Sequence, residues 1–129
     1  DTVSLVEKKL VNRDWRDCCE RAIAGKGLSK KAFESKEELK GAVEEYVNGD
    51  CERFEAVVMK YGYPIGQWNV SNVTDMSFMF FNAVSFDGDI STWDTSRVTS
   101  MDFMFYGAES FNGDISNWDV SHVTDMESM

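Results

Sequence analysis

The residues best able to do chemistry are aspartates that recur at a fixed spacing. Asp89 and Asp114 share one position of a repeat, and Asp94 and Asp119 share another, beside Asn69. Carboxylates that stack on one another repel, and calcium would relieve that repulsion. The alternative is that each carboxylate accepts hydrogen bonds from its own turn. We expect no resident metal and keep these four aspartates as the calcium candidates.

Catalysis has little support in the sequence. The one histidine, His122, stands at a repeat position that holds Asn72 and Arg97 in the other copies. A nucleophile needs a base within hydrogen-bond reach, and neither such a pairing nor a phosphate-binding loop is visible. We therefore predict a protein that is not an enzyme and that has no cofactor.

The cysteines and the asparagine sequons bear on the compartment. Cys18 and Cys19 are adjacent, and Cys51 is the third cysteine, which does not match a zinc site. A bridge from Cys51 to one of the pair requires an oxidising compartment, whereas buried thiols would not. Asn69 and Asn72 each begin a glycosylation sequon, which matters only in a secretory pathway; the serine and threonine are also parts of the repeat.

A 25-residue repeat organises the second half of the chain. Residues 68–76, 93–101 and 118–126 follow the pattern W-[N/D]-[V/T]-S-x-V-T-[D/S]-M, without insertions. A fixed period of this length indicates units that stack on one another. Equivalent apolar residues then form ladders, led by Trp68, Trp93 and Trp118 and followed by valine, methionine, phenylalanine and isoleucine positions.

The pattern within a unit predicts a short strand and a short helical turn. The Asp-Ile-Ser-x-Trp segment alternates apolar and polar residues, as a strand does. Stacked units would pair these strands in parallel. We therefore predict an α+β fold in which a parallel, right-handed β-solenoid of about three coils occupies residues 61–129. The last coil is incomplete, because it stops before its phenylalanine, so we expect further chain or a partner there.

Residues 1–60 predict a helical cap for that array. Helices are expected at 3–24, 35–47 and 51–60. Ser35 and Glu38 form a capping-box pattern, and Asp50 precedes the third helix as its N-cap. A repeat array exposes the open side of its first unit, so it needs such a cap.

The charge distribution limits the partners. The net charge is −10, and residues 61–129 carry 10 acidic residues and one basic residue, Arg97. Such a surface repels the phosphates of nucleic acids and anionic membranes, and no apolar run reaches the roughly 20 residues of a membrane span. We expect a protein partner with a basic or apolar surface.

A row of aromatic residues is the candidate interface. Phe78 and Phe103 lie between the repeat methionines, and Phe81 and Tyr106 follow the core phenylalanine. These rings either form an exposed apolar patch of the kind that binds partners, or they pack beneath the cap as a thicker core. The variable repeat positions, which include Arg97 and His122, complete the set of candidate binding residues.

The WDVSxVTDMxxMF and FNGDIS motifs resemble the BspA-type leucine-rich-repeat-like family, which includes a domain of unknown function in mycoplasma surface proteins. The helical segment 33–46 is similar to the lead-in of microalgal and protist members. The resemblance implies a non-catalytic protein-interaction or adhesion module on the cell surface or outside the cell. The alternative is a structural subunit that docks into a larger intracellular or organellar assembly.

Overall fold

The computed structural model describes residues 31–129. Helix α1 spans Lys36–Asn48 and helix α2 spans Cys51–Tyr61, followed by a 3-10 turn at Ile65–Gln67. From there to residue 129 the described chain is built of turns and extended links. Neither helix is long and apolar enough to cross a membrane. The predicted helix 3–24 lies outside the described residues, as do Cys18 and Cys19.

The two described helices begin where their capping residues predicted. The Ser35 side chain accepts a hydrogen bond from the Glu38 backbone N–H at 3.1 Å, and Asp50 accepts one from the Arg53 N–H at 2.9 Å. The Glu38 carboxylate reaches back to the Glu34 N–H at 3.0 Å, one residue earlier than in a standard capping box. The predicted helices 35–47 and 51–60 are therefore confirmed to within one residue.

The predicted parallel β-solenoid is wrong. From residue 31 to residue 129 the chain has no β-strand, only isolated parallel bridges, which pair Ala32 with Asn69, Asp75 with Ser100, and Ser100 with Asp125. The leucine-rich-repeat description fails with it. The expected strand segment forms a turn instead, because Ser91 donates to Asp89 and the Trp93 N–H donates to the Ile90 carbonyl.

The three repeat units begin at Trp68, Trp93 and Trp118. Successive units contact each other through backbone hydrogen bonds. Every second N–H of the 76–82 segment donates to a carbonyl of the following unit: Met76 to Ser100, Phe78 to Asp102, Phe80 to Met104, and Asn82 to Tyr106, at 2.7–2.9 Å. The chain turns again between these donors, as the Met79 N–H donation to the Met76 carbonyl shows. The contacts therefore never extend into a regular β-ladder.

Tryptophan indoles link each unit to the chain before it. Trp93 Nε1 donates to the Ile65 carbonyl at 2.8 Å, and Trp118 Nε1 donates to the Ile90 carbonyl at 2.9 Å. Trp68 Nε1 donates to Gly62 at 2.9 Å. All three indoles are buried, so each N–H needs such a partner.

A square of stacked rings fills the core between the first two units. Phe80 lies on Phe86 at 4.4 Å and on Phe105 at 5.5 Å, and Phe111 completes the square. Most predicted ladder residues of units one and two are buried. In the third unit Met126 is 44% exposed, because no described residues pack against its far side.

The helical pair and the short segment before it cover the first unit through aromatic residues. Phe33 stacks on Tyr61 with 4.0 Å between ring centroids and lies 5.3 Å from Trp68. Tyr46 of α1 meets the same indole edge-on at 5.3 Å. The Phe33 N–H also donates to the Asn69 carbonyl at 3.0 Å. The helices therefore occupy the side on which an earlier repeat would otherwise stack.

Candidate protein-binding surface

Four aromatic rings form a cluster on the outer side of the repeats, which we call the aromatic patch: Phe78, Phe81, Phe103 and Tyr106. Phe78 stacks on Phe103 at 5.0 Å, and Phe81 stacks on Tyr106 at 5.5 Å, with 12° between the planes of each pair. Phe78 is 41% exposed and Tyr106 is 52% exposed, while the other two rings are half-buried. The patch thus presents stacked rings to solvent.

The backbone beneath this patch is in an unusual conformation. Phe78 has φ 62° and Phe103 has φ 53°, in the left-handed region, and Ser128 has φ 49° at the same repeat position. Left-handed backbone costs an L-residue with a side chain about 1–2 kcal/mol. The neighbouring positive-φ position carries Asn82 and Gly107, which suit it. The two phenylalanines therefore occupy backbone that favours other residue types.

Lysines of α1 border the patch on one side. Lys36 Nζ lies 2.7 Å from Ser77 Oγ, 3.6 Å from an Asp75 carboxylate oxygen, and 5.9 Å from the centre of the Phe78 ring. Burial raises the pKa of Asp75, but hydrogen bonds from Ser77 and the charge of Lys36 outweigh it and leave that pKa lowered. The first unit thus holds an ammonium group against a carboxylate, a hydroxyl and a ring.

Lys40 completes the same border by capping backbone carbonyls. Its Nζ donates to Phe78 O at 2.8 Å and to Met79 O at 3.2 Å. In the second unit the residue equivalent to Met79 is Met104, and its carbonyl accepts a hydrogen bond from the Phe80 N–H of the unit before it. Lys40 therefore takes the place of a preceding repeat. Burial lowers the pKa of Lys40, which the charge of Glu44 partly offsets. Sequence reasoning missed both lysines, although their spacing of four places them on one helix face.

A cleft of about 440 Å³ lies between α1 and the first unit. Phe81 of the aromatic patch forms part of its wall, together with Met79 and Ala83. Charged residues of the helices, Lys40 and Arg53 among them, also line it. The cleft adjoins the aromatic patch through Phe81, so a partner bound on the patch would lie next to it.

Carboxylates border the patch on the other side. Asp102 precedes Phe103 and accepts a hydrogen bond from the Glu127 N–H at 3.0 Å. Its shared hydrogen bond with Asp125 raises the pKa of Asp102, and the nearby charges of Asp125 and Glu127 add to that effect. None of these three carboxylates forms an ion pair with any residue between 31 and 129.

The calcium candidates lie in turns that satisfy them locally. Asp89, Asp94 and Asp119 each accept from the backbone N–H and the hydroxyl of the serine two residues later, at 2.6–3.0 Å. Asp114 accepts the Ser116 N–H. These bonds lower the pKa of all four carboxyls. In the described part of the chain, no three His, Cys, Asp or Glu side chains are grouped to hold a metal ion.

The variable positions form a separate row. Arg97 Nη1 donates to Asn72 Oδ1 at 2.9 Å, and His122 Nδ1 lies 3.3 Å from Ser121 Oγ. Both side chains are exposed. The structure joins neither of them to the aromatic patch by a hydrogen bond or an ion pair, so the predicted binding residues fall into two groups.

Two observations concern modification and redox state. Asn69 and Asn72, the sequon asparagines, are both exposed. Cys51, the first residue of α2, is disulfide-bonded. The chain's two other cysteines lie outside the described residues.

The fold and the surface together define a class: a protein of stacked repeat units, covered at one end by a helical pair and carrying exposed aromatic rings. Residues 29–129 match the family described as Mycoplasma protein of unknown function, DUF285, and the chain belongs to this family. No curated protein and no solved structure matches the chain. The family description brings no activity with it.

Proposed function

We propose that this protein is a non-catalytic protein-interaction module that binds its partner through the aromatic patch and the adjoining cleft. The observation that carries the proposal is the pair of partly exposed phenylalanines on left-handed backbone. Phe78 and Phe103 carry a conformational cost that a glycine or asparagine would avoid. Such strain persists where the surrounding structure imposes it and is concentrated at functional sites.

The energetics favour binding over packing as the role of these rings. The core between the same two units already holds the square of rings around Phe80, and the Phe80 ring itself is fully buried. Phe78 leaves 41% of its surface in water and so gains only part of the burial energy of a core ring. A partner that covers the patch would bury the remainder, as in aromatic hot spots of interfaces.

The proposed setting is the cell surface or the outside of the cell. The disulfide at Cys51 supports it, because structural disulfides persist in oxidising compartments. The exposed sequons at Asn69 and Asn72 are compatible with passage through a secretory pathway. Adhesion is the form of interaction that we propose for a protein in this setting.

Selection from a random-peptide display library tests the binding role. The intact chain is the bait, and enriched peptides are re-measured against a variant with Phe78→Asn and Phe103→Asn. Asparagine tolerates left-handed backbone, so the variant removes the rings without new strain. We expect loss of about tenfold or more in affinity, the usual effect of removing aromatic anchors.

The matched control is Val84→Asn. Val84 is 53% exposed in the same unit and belongs to neither the patch nor the cleft wall. Peptides that bind the control and wild type equally, but not the double variant, support the proposal. Enrichment of peptides indifferent to Phe78 and Phe103 would refute it. A free Cys51 thiol in the native protein would instead favour a structural subunit of an intracellular assembly.

A further inference from the structure

We propose that the aromatic patch recognises a basic segment of a partner polypeptide, whose arginine stacks beside Phe103 and pairs with the carboxylates of Asp102, Asp125 and Glu127. This inference rests on the proposed function and specifies the partner's chemistry. It also gives the bound segment a direction, because the cationic residue lies at the third-unit side of the patch and away from α1.

The charges around the patch are unequal. On the α1 side, Lys36 pairs with the Asp75 carboxylate and Lys40 donates a hydrogen bond to the Phe78 carbonyl. On the opposite side, Asp102, Asp125 and Glu127 lie together without an ion-pair partner in the described structure. The hydrogen bond between Asp102 and Asp125 raises the pKa of Asp102, as expected where two carboxyls compete for one proton. A cation placed there would relieve their repulsion.

The first unit shows how this protein holds a cation beside such a ring. Lys36 lies near a carboxylate of Asp75 and over the ring of Phe78. The second and third units repeat the same kinds of group, Phe103 with Asp102 and Asp125, and add Glu127. Residues 61–129 contain a single basic residue, Arg97, and it is bonded to Asn72. The repeat units therefore supply no cation for these carboxylates, and we assign that cation to the partner.

Arginine fits this position better than lysine. Its guanidinium is planar, stacks on aromatic rings and pairs with carboxylates through two parallel hydrogen bonds. Phe78 covers one side of the Phe103 ring, whereas Ser128, the next residue in that row, supplies no ring. The ring stack thus ends beside the carboxylates, where a guanidinium could continue it.

The test uses patch-dependent peptides from the library selection, resynthesised and titrated against the intact chain. The variant carries Asp102→Asn and Asp125→Asn, which keeps the side-chain oxygen that accepts the Glu127 N–H. The control carries Asp89→Asn and Asp114→Asn, an equal change of charge in turns away from the patch. We expect enriched peptides to contain arginine, and the variant to bind about tenfold more weakly while the control binds within about twofold of wild type.

Two further readouts are specific to the proposed pairing. Substituting the peptide's arginine with alanine should weaken binding to wild type by a similar factor and leave binding to the Asp102/Asp125 variant almost unchanged. Raising the salt from about 0.1 M to about 1 M, which shortens the Debye length from about 10 Å to about 3 Å, should weaken binding to wild type more than to the variant.

The outcomes separate this inference from the proposed function. Peptides that need Phe78 and Phe103 but carry no basic residue, or bind the Asp102/Asp125 variant as tightly as wild type, overturn the inference and leave the proposed function standing. A selection that yields no patch-dependent peptide overturns both. Equal weakening by the Asp89/Asp114 control would show a general charge effect and would also overturn the specific pairing.

Discussion

Replacing Phe78 tests whether its ring serves the fold or the surface. Phe78 is 41% exposed, so it gains somewhat more than half of the roughly 1.5–3 kcal/mol available to a fully buried phenylalanine. Stacking on Phe103 adds about 0.5–1.5 kcal/mol. Against these gains stands the left-handed backbone, which costs about 1–2 kcal/mol. The net contribution of the ring to stability is therefore about 1 kcal/mol.

Two substitutions at position 78 separate the gain from burying and stacking the ring from the cost of the left-handed backbone. Phe78→Asn removes the ring and suits a positive φ, so we expect the free energy of unfolding to fall by about 1 kcal/mol. Phe78→Ala removes the ring but keeps the strain, so it should be about 1 kcal/mol less stable than Phe78→Asn. Phe80→Ala, in the fully buried core, should cost about 3–5 kcal/mol and is the reference for a structural ring.

Equilibrium urea denaturation of the four proteins measures these differences. A loss at Phe78→Asn as large as that at Phe80→Ala would assign the ring to the core and remove the main support for the binding surface. Equal stability of the Asn and Ala variants would show that the left-handed backbone carries no cost, and the argument from strain would fail.

Three further predictions concern the repeats, the cap and the disulfide. Trp93→Phe removes one of the two hydrogen bonds that the Ile65 carbonyl accepts, since the Trp68 N–H also donates to it, so unfolding midpoints should reveal a loss of about 0.5–1.5 kcal/mol, and an unchanged midpoint would contradict the link. Glu38 has its pKa lowered from 4.5 to about 2, so its stabilisation is present above pH 4.5 and is lost as the pH falls towards 2. Because the group is partly exposed, Glu38→Gln should cost at most about 1 kcal/mol at pH 6, with the gap to wild type closing below pH 4.5 and no such pattern for Glu37→Gln. Mass spectrometry of the native chain without reductant should find Cys51 in a disulfide-linked peptide, and an alkylated Cys51 would contradict the extracellular setting.

The contacts that lower the pKa of Glu38 also set the pH range over which its carboxylate stabilises the fold. The hydrogen bond from Lys31 is the largest contribution, followed by that from the Glu34 N–H, and Tyr61 donates to the same carboxylate at 2.8 Å. Burial raises the pKa of Tyr61 to about 12, and the hydrogen bond to Glu38 adds to that. The tyrosine's own contribution is therefore present below pH 10 and is lost as the pH rises towards 12.

Much of the burial pattern was predictable from the sequence. A pattern of residue types that recurs with a fixed period identifies the apolar positions without knowledge of the fold. Trp68, Trp93 and Trp118 are buried, as their repetition indicated. The helix starts were equally accessible, because Ser35 and Asp50 act through hydrogen bonds to residues three positions away.

The strand prediction failed because local hydrogen bonds competed with those between units. Alternating residues from Asp89 to Trp93 are typical of a strand, but the carboxylate of Asp89 binds the N–H and hydroxyl of Ser91 and forms a turn. The inter-unit bonds then arise from the segment around Met76 instead. Periodicity of two does not distinguish a strand from such a chain of turns.

The sequence by itself determined the repeat period, the buried ladder, the two helices of the cap and the acidic character of the repeats, because each depends on residue type or on neighbours a few positions apart. Only the tertiary structure decided which rings face solvent: Phe78 is 41% exposed, whereas Phe80, two residues later, is fully buried. It alone brought Lys36 and Lys40 of α1 against the backbone and side chains of the first unit, far along the chain. Contacts between residues so distant in sequence depend on how the helices pack, which no local pattern specifies.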